Sequence, residues 1–385
     1  MSSDAFPRGG AAIVGHATFG EGLSPGYTSI DLAAAASVKA LASAGLTPSD
    51  VDALFIGLPD DFLSGLTLAE YLGVRPKLTD NNRTGGSAFQ THVAHAALAL
   101  AAGQCDVALI AYGSNQKSGA GKLVRSSQPP TYEGPFKPRM PVSAYAMAAA
   151  RHMHQYGTTR EQLAEVAVAA RRWAMLNPAA AMRDPLSIAD VLGARMVSDP
   201  LTTRDCCLVT DGAAAVVMVR ADRAKDLAAK PAYVLGAASA VTHRDISSMP
   251  DLTVTGAAES GPRAFAQAGV TPADIDVLQL YDAFTINTIL FLEDLGFCPK
   301  GEGGRFVEGG AIAPGGRLAV NTNGGGLSYC HPGMFGLFTI VEAAAQIAGA
   351  AGERQQDAVE LALAHGNGGV LASQATVILG SATTL

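Results

Sequence analysis

A repeated fifteen-residue segment constrains the fold of this chain more than any other feature. Residues 40–54 read ALASAGLTPSDVDAL, residues 264–278 read AFAQAGVTPADIDVL, and nine of the fifteen positions are identical. In both copies an alanine-rich stretch ends at a glycine, the residue that most often closes a helix in the left-handed conformation. A Thr-Pro-x-Asp turn follows, which is typical of a capped turn before the next element. The repetition predicts two similar halves related by an approximate twofold axis.

The surroundings of the two copies predict alternating strands and helices. Apolar segments with the length of strands lie at 11–14, 54–57, 107–112, 232–235, 278–281 and 360–364. A glycine-rich segment that opens a helix lies in each half, at 81–90 and at 321–333. Strands that alternate with helices of this length indicate an α/β fold built of layers.

We predict an N-terminal half over residues 1–231 and a C-terminal half over residues 232–385. The N-terminal half contains a less regular insert over about 114–205, in which a proline-rich stretch at 129–141 predicts a loop and 142–175 predicts helices. The pattern returns to a strand at 211–218. An insert over a duplicated core is a common place for contacts with substrates or partners.

Charge and hydropathy make nucleic acids and membranes poor candidates for partners. The 385 residues carry 34 acidic against 27 basic side chains, for a net charge of −7, and show no basic stripe. The longest apolar stretches, such as 96–102, fall far short of the ~20 residues that cross a bilayer. No leader pattern is visible, so we expect a cytoplasmic protein. Five cysteines without a C-x-x-C pair indicate reduced thiols and no zinc site.

Three motifs together identify a family resemblance. The first is Asn321-Thr-Asn-Gly-Gly-Gly-Leu-Ser-Tyr-Cys-His331-Pro, the second Tyr281-Asp-Ala-Phe284, and the third His365-Gly-Asn-Gly-Gly. With Asp211-Gly-Ala-Ala-Ala they resemble the thiolase superfamily nearly end to end, and most of all its sterol-carrier, lipid-transfer-like branch. The resemblance implies a duplicated, five-layered α-β-α-β-α fold and a homodimer.

The sequence departs from the thiolase pattern at the nucleophile. Thiolases place a cysteine at a helix N-terminus, where the helix dipole favours the thiolate. The corresponding position here is Gly85, which cannot form an acyl-enzyme. Of the five cysteines (105, 206, 207, 298 and 330), only Cys330 neighbours a motif residue. Thiolysis through a covalent acyl-cysteine is therefore not expected.

The resemblance also assigns roles to the polar residues of the motifs. His331 corresponds to an oxyanion donor, and His365 stands in place of the cysteine that acts as acid or base at the α-carbon. Tyr281 replaces an asparagine or histidine, and Tyr329 supplies an additional hydroxyl. The glycines expected to approach the substrate are Gly85, Gly325 and Gly326.

A site of this kind can hold an acyl-CoA enolate without acylating the enzyme, and it therefore predicts aldol cleavage. Tyr281 or Tyr329 would remove the β-hydroxyl proton, His331 would hold the enolate, and His365 would protonate the α-carbon. The sequence is similar to the thiolase-like aldolases that cleave side-chain CoA thioesters in steroid degradation. That similarity implies a small partner with an OB-fold and a zinc ribbon, in a heterotetramer. It implies no cofactor and no metal on this chain, because coenzyme A enters as part of the substrate.

Two other functions stay open at the level of the sequence. One is an acyltransferase that uses a different thiol, such as Cys330, and the other is a non-catalytic subunit that binds lipids or CoA esters. Asp282 is predicted to cap the helix at 283–295. His92 and His95 lie one turn apart, but no third ligand follows, so a metal site is not expected. A bulky, sterol-like acyl group is implied by the family resemblance alone.

Overall fold

The structure, a computed structural model, describes residues 6–120, 132–227 and 230–385. Within these residues it contains twelve strands and eleven α-helices. The strands are β1 Ala11–Gly22, β2 Ala53–Ile56, β3 Leu78–Asp80, β4 Val107–Ser114, β5 Met196–Ser198, β6 Leu201–Thr202, β7 Asp211–Arg220, β8 Ala232–Val241, β9 Val277–Leu280, β10 Ala319–Val320, β11 Leu361–Gly368 and β12 Ser373–Gly380. The helices are α1 Ser29–Ser43, α2 Ser64–Leu72, α3 Ala88–Ala101, α4 Val142–Tyr156, α5 Arg160–Met175, α6 Ile188–Leu192, α7 Ala221–Ala224, α8 Ala257–Ala268, α9 Thr285–Asp294, α10 Gly303–Phe306 and α11 Gly336–Ala348.

Ten of the strands form one mixed sheet with a symmetrical order. The order is β10-β9-β11-β12-β8-β1-β7-β4-β2-β3, so that strands from residues 11–220 and strands from residues 232–380 stand side by side. The two sets join where β1 pairs antiparallel with β8, with Ala12 opposite Tyr233. The proposed division at residue 231 falls between β7 and β8 and stays a prediction.

The helices form three layers around the two sets of strands. Helix α1 packs on β1, β4 and β7, and α8 packs on β8 and β12. Helices α3 and α11 contact each other and strands of both sets, so they lie between them. This is the predicted α-β-α-β-α arrangement, which confirms the fold class. The two glycine-rich segments, at 81–90 and 321–333, lead into these two central helices.

The repeat in the sequence is a repeat in the backbone. Gly45 and Gly269 both have φ +68°, the left-handed conformation in which glycine closes a helix without strain. After each glycine comes a short 3-10 turn, at Pro48–Asp50 and Pro272–Asp274, with a threonine and an aspartate that cap each other. The identical residues therefore encode identical turns.

A second aspartate in each copy secures the start of a neighbouring strand. Asp52 Oδ1 accepts hydrogen bonds from the backbone N–H groups of Asp106 and Val107, at 2.9 and 2.8 Å. Asp276 Oδ2 accepts from Glu360 and Leu361, both at 2.8 Å. Because each carboxylate pairs two otherwise exposed N–H groups, the repeated aspartate has a structural role in both halves.

The insert contains the predicted helices and a small hairpin formed by β5 and β6. Helices α4 and α5 cover the region predicted at 142–175 and are separated at Gly157, which has φ +76°. Part of the predicted loop at 129–141 lies outside the described residues, and the rest contains a 3-10 turn at Gly134–Phe136. Within the described part of the chain, each helix is too short or too polar to cross a membrane.

Candidate active site

Two glycines before α3 leave no room for side chains. Gly85 has φ +90°, and a Cβ atom on it would lie 2.9 Å from both Gly368 Cα and Gly369 N. A Cβ atom on Gly86 would overlap the ring of Tyr281. The position that corresponds to the thiolase cysteine is thus enclosed by another segment's backbone. A thiol would fit there only if that backbone moved.

Tyr281 follows strand β9 and reaches His331. Its backbone N–H donates to His365 O over 3.1 Å, which extends the pairing of β9 with β11. The Tyr281 hydroxyl lies 3.0 Å from His331 Nε2. Burial raises the pKa of Tyr281 well above its ordinary value and lowers the pKa of His331 to about 4. At neutral pH the pair is therefore a phenol beside an uncharged imidazole.

His331 is fixed by its backbone and by one face of its ring. The backbone N–H donates to Thr210 Oγ1 at 2.9 Å, and the ring stacks on Phe335 with centroids 6.3 Å apart. Its Nδ1 is buried and has no hydrogen-bond partner among the described residues. A buried ring nitrogen without a partner is costly, so a bound ligand is a natural partner for it. The geometry is compatible with the predicted role of His331 as an oxyanion donor.

The glycine-rich motif forms a π-helical turn at Gly325–Tyr329 that Asp282 secures. Asp282 Oδ1 accepts from Gly326 N at 2.6 Å, and Oδ2 accepts from Leu327 N at 3.4 Å. A Cβ atom on Gly325 would overlap this carboxylate. Burial raises the pKa of Asp282 to about 7, although the backbone N–H groups act in the opposite direction.

The prediction that Asp282 caps the following helix is wrong. Helix α9 begins at Thr285, and Phe284 holds the capping position without a side-chain hydrogen bond. The adjacent turn competes successfully for the carboxylate because it presents two N–H groups. The same bond occupies the N–H of Gly326, so the contact predicted between Gly326 and the substrate would involve its Cα face, which adjoins His331.

Tyr329 lies in a different polar setting from Tyr281. Its hydroxyl donates to Glu21 Oε1 at 2.9 Å and lies 3.4 Å from Thr18 Oγ1. Burial first, and then the Glu21 charge, raise the pKa of Tyr329 well above its ordinary value. The phenol borders a cavity of about 180 Å³, whose other polar residues include His16 and Glu342.

A row of aromatic rings connects the two tyrosines. Tyr281 packs edge-on against Phe335, with centroids 5.9 Å apart, and Phe335 stacks on Phe338 at 5.5 Å. Phe338 in turn packs edge-on against Tyr329 at 6.1 Å. The structure therefore brings Tyr281 and His331 into direct contact and holds Tyr329 at the other end of an apolar wall.

His365 is fully buried and has both ring nitrogens engaged. Its Nδ1 lies 2.9 Å from Thr376 Oγ1, its Nε2 lies 2.9 Å from Gln374 Oε1, and Phe291 packs edge-on against the ring. Burial lowers the pKa of His365 to about 4. A proton donor to substrate needs a ring nitrogen that faces the substrate, so this arrangement fits an orienting role better.

Two residues near this site were missed by the sequence reasoning. Asn367 Nδ2 donates to the Tyr145 hydroxyl at 2.8 Å, and Gln374 Nε2 donates to Asn367 Oδ1 at 2.8 Å. The carbonyl oxygen of Asn367 lies beside Gly86. Asn367 stands inside the glycine-rich motif after His365, so its position was a usable signal. Tyr145 lies in α4 of the insert and carries no motif.

None of the five cysteines has the environment of a reactive thiolate. All five are free, and burial raises the pKa of every one of them: 105, 206, 207, 298 and 330. The pKa of Cys330 is raised further by the charges of Glu21 and Asp282. Nucleophilic cysteines require the opposite shift.

Three other histidines have structural partners. His92 Nε2 accepts from Asn82 N at 3.2 Å, and His95 Nδ1 lies 2.7 Å from Asp80 Oδ2. His152, fully buried, lies between Thr158 and Glu293. Among the residues that the structure describes, no group of three or more histidine, cysteine or acidic side chains is arranged to hold a metal ion.

Comparisons with known proteins agree on one fold and one family. The thiolase C-terminal domain-like family matches residues 238–381. The solved structure of an Ltp2-ChsH2(DUF35) aldolase superposes with a TM-score of 0.89 at 33% identity, over 97% of this chain and 98% of that one. The duplicated α/β core and the motif geometry thus define a thiolase-fold protein.

Two relatives show how far the sequence similarity extends. The chain is 36% identical over 354 residues to the 17-hydroxy-3-oxo-4-pregnene-20-carboxyl-CoA lyase of Mycobacterium tuberculosis, with 86% of this chain and 90% of that protein covered. It is 34% identical over 355 residues to an acetyl-CoA acetyltransferase of Methanothermobacter thermautotrophicus, with 88% and 91% covered. The chain belongs to the thiolase superfamily. Within it, the chain is similar to the steroid side-chain-cleaving aldolases, which confirms the resemblance found in the sequence.

Proposed function

We propose that this protein is a retro-aldolase that cleaves the Cα–Cβ bond of a β-hydroxyacyl-CoA. The products are a ketone or aldehyde and a shortened acyl-CoA. The observation that carries this proposal is the enclosure of Gly85, where thiolases have their nucleophile, by the Gly368–Gly369 backbone. Without an acyl-enzyme, the carbon–carbon bond must break by proton transfer and enolate stabilisation alone.

Tyr329 and Glu21 are suited to the base side of the reaction. A phenol that already donates to a carboxylate at 2.9 Å can pass its proton on when it accepts one from the β-hydroxyl. The deprotonated hydroxyl becomes a carbonyl as the Cα–Cβ bond breaks, and the electron pair remains on the thioester as an enolate. The cavity of about 180 Å³ beside Tyr329 is large enough to hold water, which could exchange this proton.

Tyr281 and His331 are suited to the enolate side. The raised pKa of Tyr281 keeps its proton on the phenol, and the lowered pKa of His331 keeps the imidazole neutral. One proton is held in the bond between the two side chains. The neutral pair keeps one further proton, on His331 Nδ1 or on the Tyr281 hydroxyl, that can be donated to an enolate oxygen without an ion-pair partner. One proton leaves the β-hydroxyl through Tyr329, and the α-carbon takes up one proton from water, so the reaction needs no other co-reactant.

We further propose that the acyl group is of the steroid side-chain type. A lyase at 36% identity is named for a 17-hydroxy-pregnene carboxyl-CoA, a thioester with a bulky apolar acyl group. Coenzyme A enters as part of that substrate, and the chain needs no cofactor of its own.

The assembly we propose is a homodimer that binds a small OB-fold, zinc-ribbon subunit. Support for the small subunit comes from the neighbouring structure, which is named as a complex with a DUF35 protein. Support for a dimer comes from β3, a strand at the edge of the sheet, and from the apolar side chains of nearby α2. Phe62, just before α2, is 77% exposed, and Leu66 within α2 is 62% exposed, which is unusual for large apolar residues.

An assay without free coenzyme A tests the proposed reaction. We expect a panel of tertiary and secondary β-hydroxyacyl-CoAs to yield the shortened acyl-CoA and the carbonyl product, detected by mass spectrometry. The chain is assayed alone and after co-expression with a zinc-ribbon partner. Thiolysis cannot proceed without free coenzyme A, so product under these conditions means aldol cleavage. Product that forms only from a β-ketoacyl-CoA with added coenzyme A would overturn the proposal.

Acyl transfer is a second candidate, favoured by the similarity to an acetyl-CoA acetyltransferase. It needs a thiol, and Cys330 is the one nearest the motif. Because burial raises the pKa of Cys330, we expect Cys330→Ala to cleave β-hydroxyacyl-CoA at a rate within about twofold of the wild type. Treatment with iodoacetamide should likewise leave the rate of cleavage unchanged. A loss of turnover in Cys330→Ala, with the melting temperature unchanged, would instead favour acyl transfer.

A further inference from the structure

The first turn of α9 carries polar atoms that have no partner in the protein. Asn287 is fully buried, yet neither its Nδ2 nor its Oδ1 forms a hydrogen bond within the described residues. The hydroxyl of Thr288 is also buried, and it too has no hydrogen-bond partner within the described residues. An unpaired buried amide destabilises a fold, and such groups in native proteins usually bind an ordered water or a ligand.

Tyr145 lies beside Asn287 and close to the contact between Gly369 and Gly85. Its ring stacks on Phe284 with centroids 4.4 Å apart, one turn before Asn287. Burial raises the pKa of Tyr145 to about 12. The hydrogen bond from Asn367 acts against this shift, and so does the nearby amide of Asn287, although that amide lies outside hydrogen-bond geometry. The hydroxyl is 3.4 Å from Gly369 O, and Gly369 packs on Gly85.

A chain of hydrogen bonds fixes the direction in which the Tyr145 hydroxyl donates. His365 Nε2 donates to Gln374 Oε1, and Gln374 Nε2 donates to Asn367 Oδ1. Asn367 Nδ2 then donates to the Tyr145 oxygen at 2.8 Å. Because the phenol oxygen accepts in this bond, its own proton is donated elsewhere, and in the structure it is donated to Gly369 O over a long distance of 3.4 Å. A bond of that length is weak, so a closer acceptor on a ligand can replace it. The imidazole at the start of the chain therefore sets the orientation of both amides.

We propose that Tyr145 and Asn287 donate hydrogen bonds to the thioester oxygen of the bound acyl-CoA, and that His365 is a positioning residue that acts through Gln374 and Asn367. This inference rests on the proposed function, which brings an acyl-CoA to this site. The two donors would act on the thioester oxygen in addition to the Tyr281–His331 pair. They stabilise the enolate oxygen more than the ground-state carbonyl, because the negative charge strengthens both bonds.

The direct test uses an unreactive acyl-CoA that lacks the β-hydroxyl and carries ¹³C in its thioester carbonyl. In the wild type we expect the infrared stretch of the bound carbonyl to shift to lower frequency than in water. Tyr145→Phe and Asn287→Leu should each move the stretch part of the way back. Tyr156→Phe, at the other end of α4, is the matched control and should leave the stretch where it is in the wild type.

Kinetics and stability separate this role from a structural one. Each of the two variants should lower kcat/KM for cleavage about 10²-fold, which is typical for the loss of an oxyanion donor. Asn287→Leu should also raise the unfolding temperature by about 2 °C, because it removes an unpaired buried amide. A residue with a merely structural role would lose stability when replaced. His365→Gln retains a donor for Gln374 and should keep more activity than His365→Leu, mainly through kcat.

The outcomes distinguish this inference from the proposed function. If the carbonyl stretch responds to both variants but no β-hydroxyacyl-CoA is cleaved, the oxygen-binding inference stands and the retro-aldolase assignment fails. If the wild type cleaves its substrate and neither variant changes the stretch, the inference fails alone. If the wild type binds no acyl-CoA, both are overturned.

Discussion

Removal of either site hydroxyl, by Tyr329→Phe or Tyr281→Phe, is expected to slow carbon–carbon cleavage severely. We expect losses of about 10²–10⁴-fold for Tyr329, as for a general base, and about 10²–10³-fold for Tyr281, as for an oxyanion donor. The measurement is single-turnover formation of the shortened acyl-CoA, followed by mass spectrometry. Binding of an unreactive acyl-CoA should change little, since both interactions strengthen only as charge develops.

The structure explains why phenylalanine is the informative replacement at both positions. The Tyr281 ring fills the space over Gly86, and the Tyr329 ring closes the row that includes Phe338. Phenylalanine preserves that packing and removes only the hydroxyl bonds, to His331 in one case and to Glu21 in the other. A smaller residue would open a cavity and confuse loss of stability with loss of chemistry.

Tyr233→Phe serves as the control for both variants. Tyr233 is equally buried but lies on β8 opposite Gly380, at the end of β12 that is remote from Gln374 and Thr376. Its replacement should leave the cleavage rate unchanged. Wild-type turnover in both Tyr281→Phe and Tyr329→Phe would exclude the proposed proton transfers. Glu21→Gln adds a further readout, because it should slow the reaction only if Tyr329 passes its proton to that carboxylate.

The duplicated fold could be predicted because it is encoded locally and twice. The Gly-x-Thr-Pro-x-Asp sequence specifies a helix end, a capped turn and a strand start from residues within a few positions of each other. Gly45 and Gly269 then adopt the same φ of +68°. Signals of this local kind predict the ends of helices and turns from a single sequence.

The candidate site was predicted only where motifs carry it. Tyr281 and His331 contact each other because one motif ends strand β9 and the other follows the neighbouring strand β10. Their catalytic roles stay predictions. Glu21 and Tyr145 could not be predicted, because they reach the site from β1 and from the insert across long sequence separations. The prediction that Asp282 caps a helix is wrong for a related reason. A cap is the local choice for an aspartate before a helix, but a turn more than forty residues away offers it two N–H groups.

Replacement of Gly85 by cysteine, the residue that the resemblance expects there, should unfold the site rather than create a thiolase. Any side chain at φ +90° costs about 1–2 kcal/mol of backbone strain. Contact of its Cβ with Gly368 Cα and Gly369 N at 2.9 Å adds about 1–3 kcal/mol of overpacking. We expect Gly85→Ala and Gly85→Cys both to lower the free energy of unfolding by about 3 kcal/mol, measured by urea denaturation.

Gly103→Ala is the matched control at the other end of the same helix. Gly103 has φ +68°, and a Cβ atom on it would meet nothing within 4 Å, so its replacement tests backbone strain without overpacking. We expect a loss of about 1 kcal/mol there. A Gly85→Cys variant as stable as the wild type would show that the Gly368–Gly369 segment yields easily. If that variant also performed thiolysis, the absence of a nucleophile would no longer define the chemistry of this site. If the variant is destabilised as expected, the backbone conformation requires glycine at position 85. A single substitution then cannot place a cysteine nucleophile there.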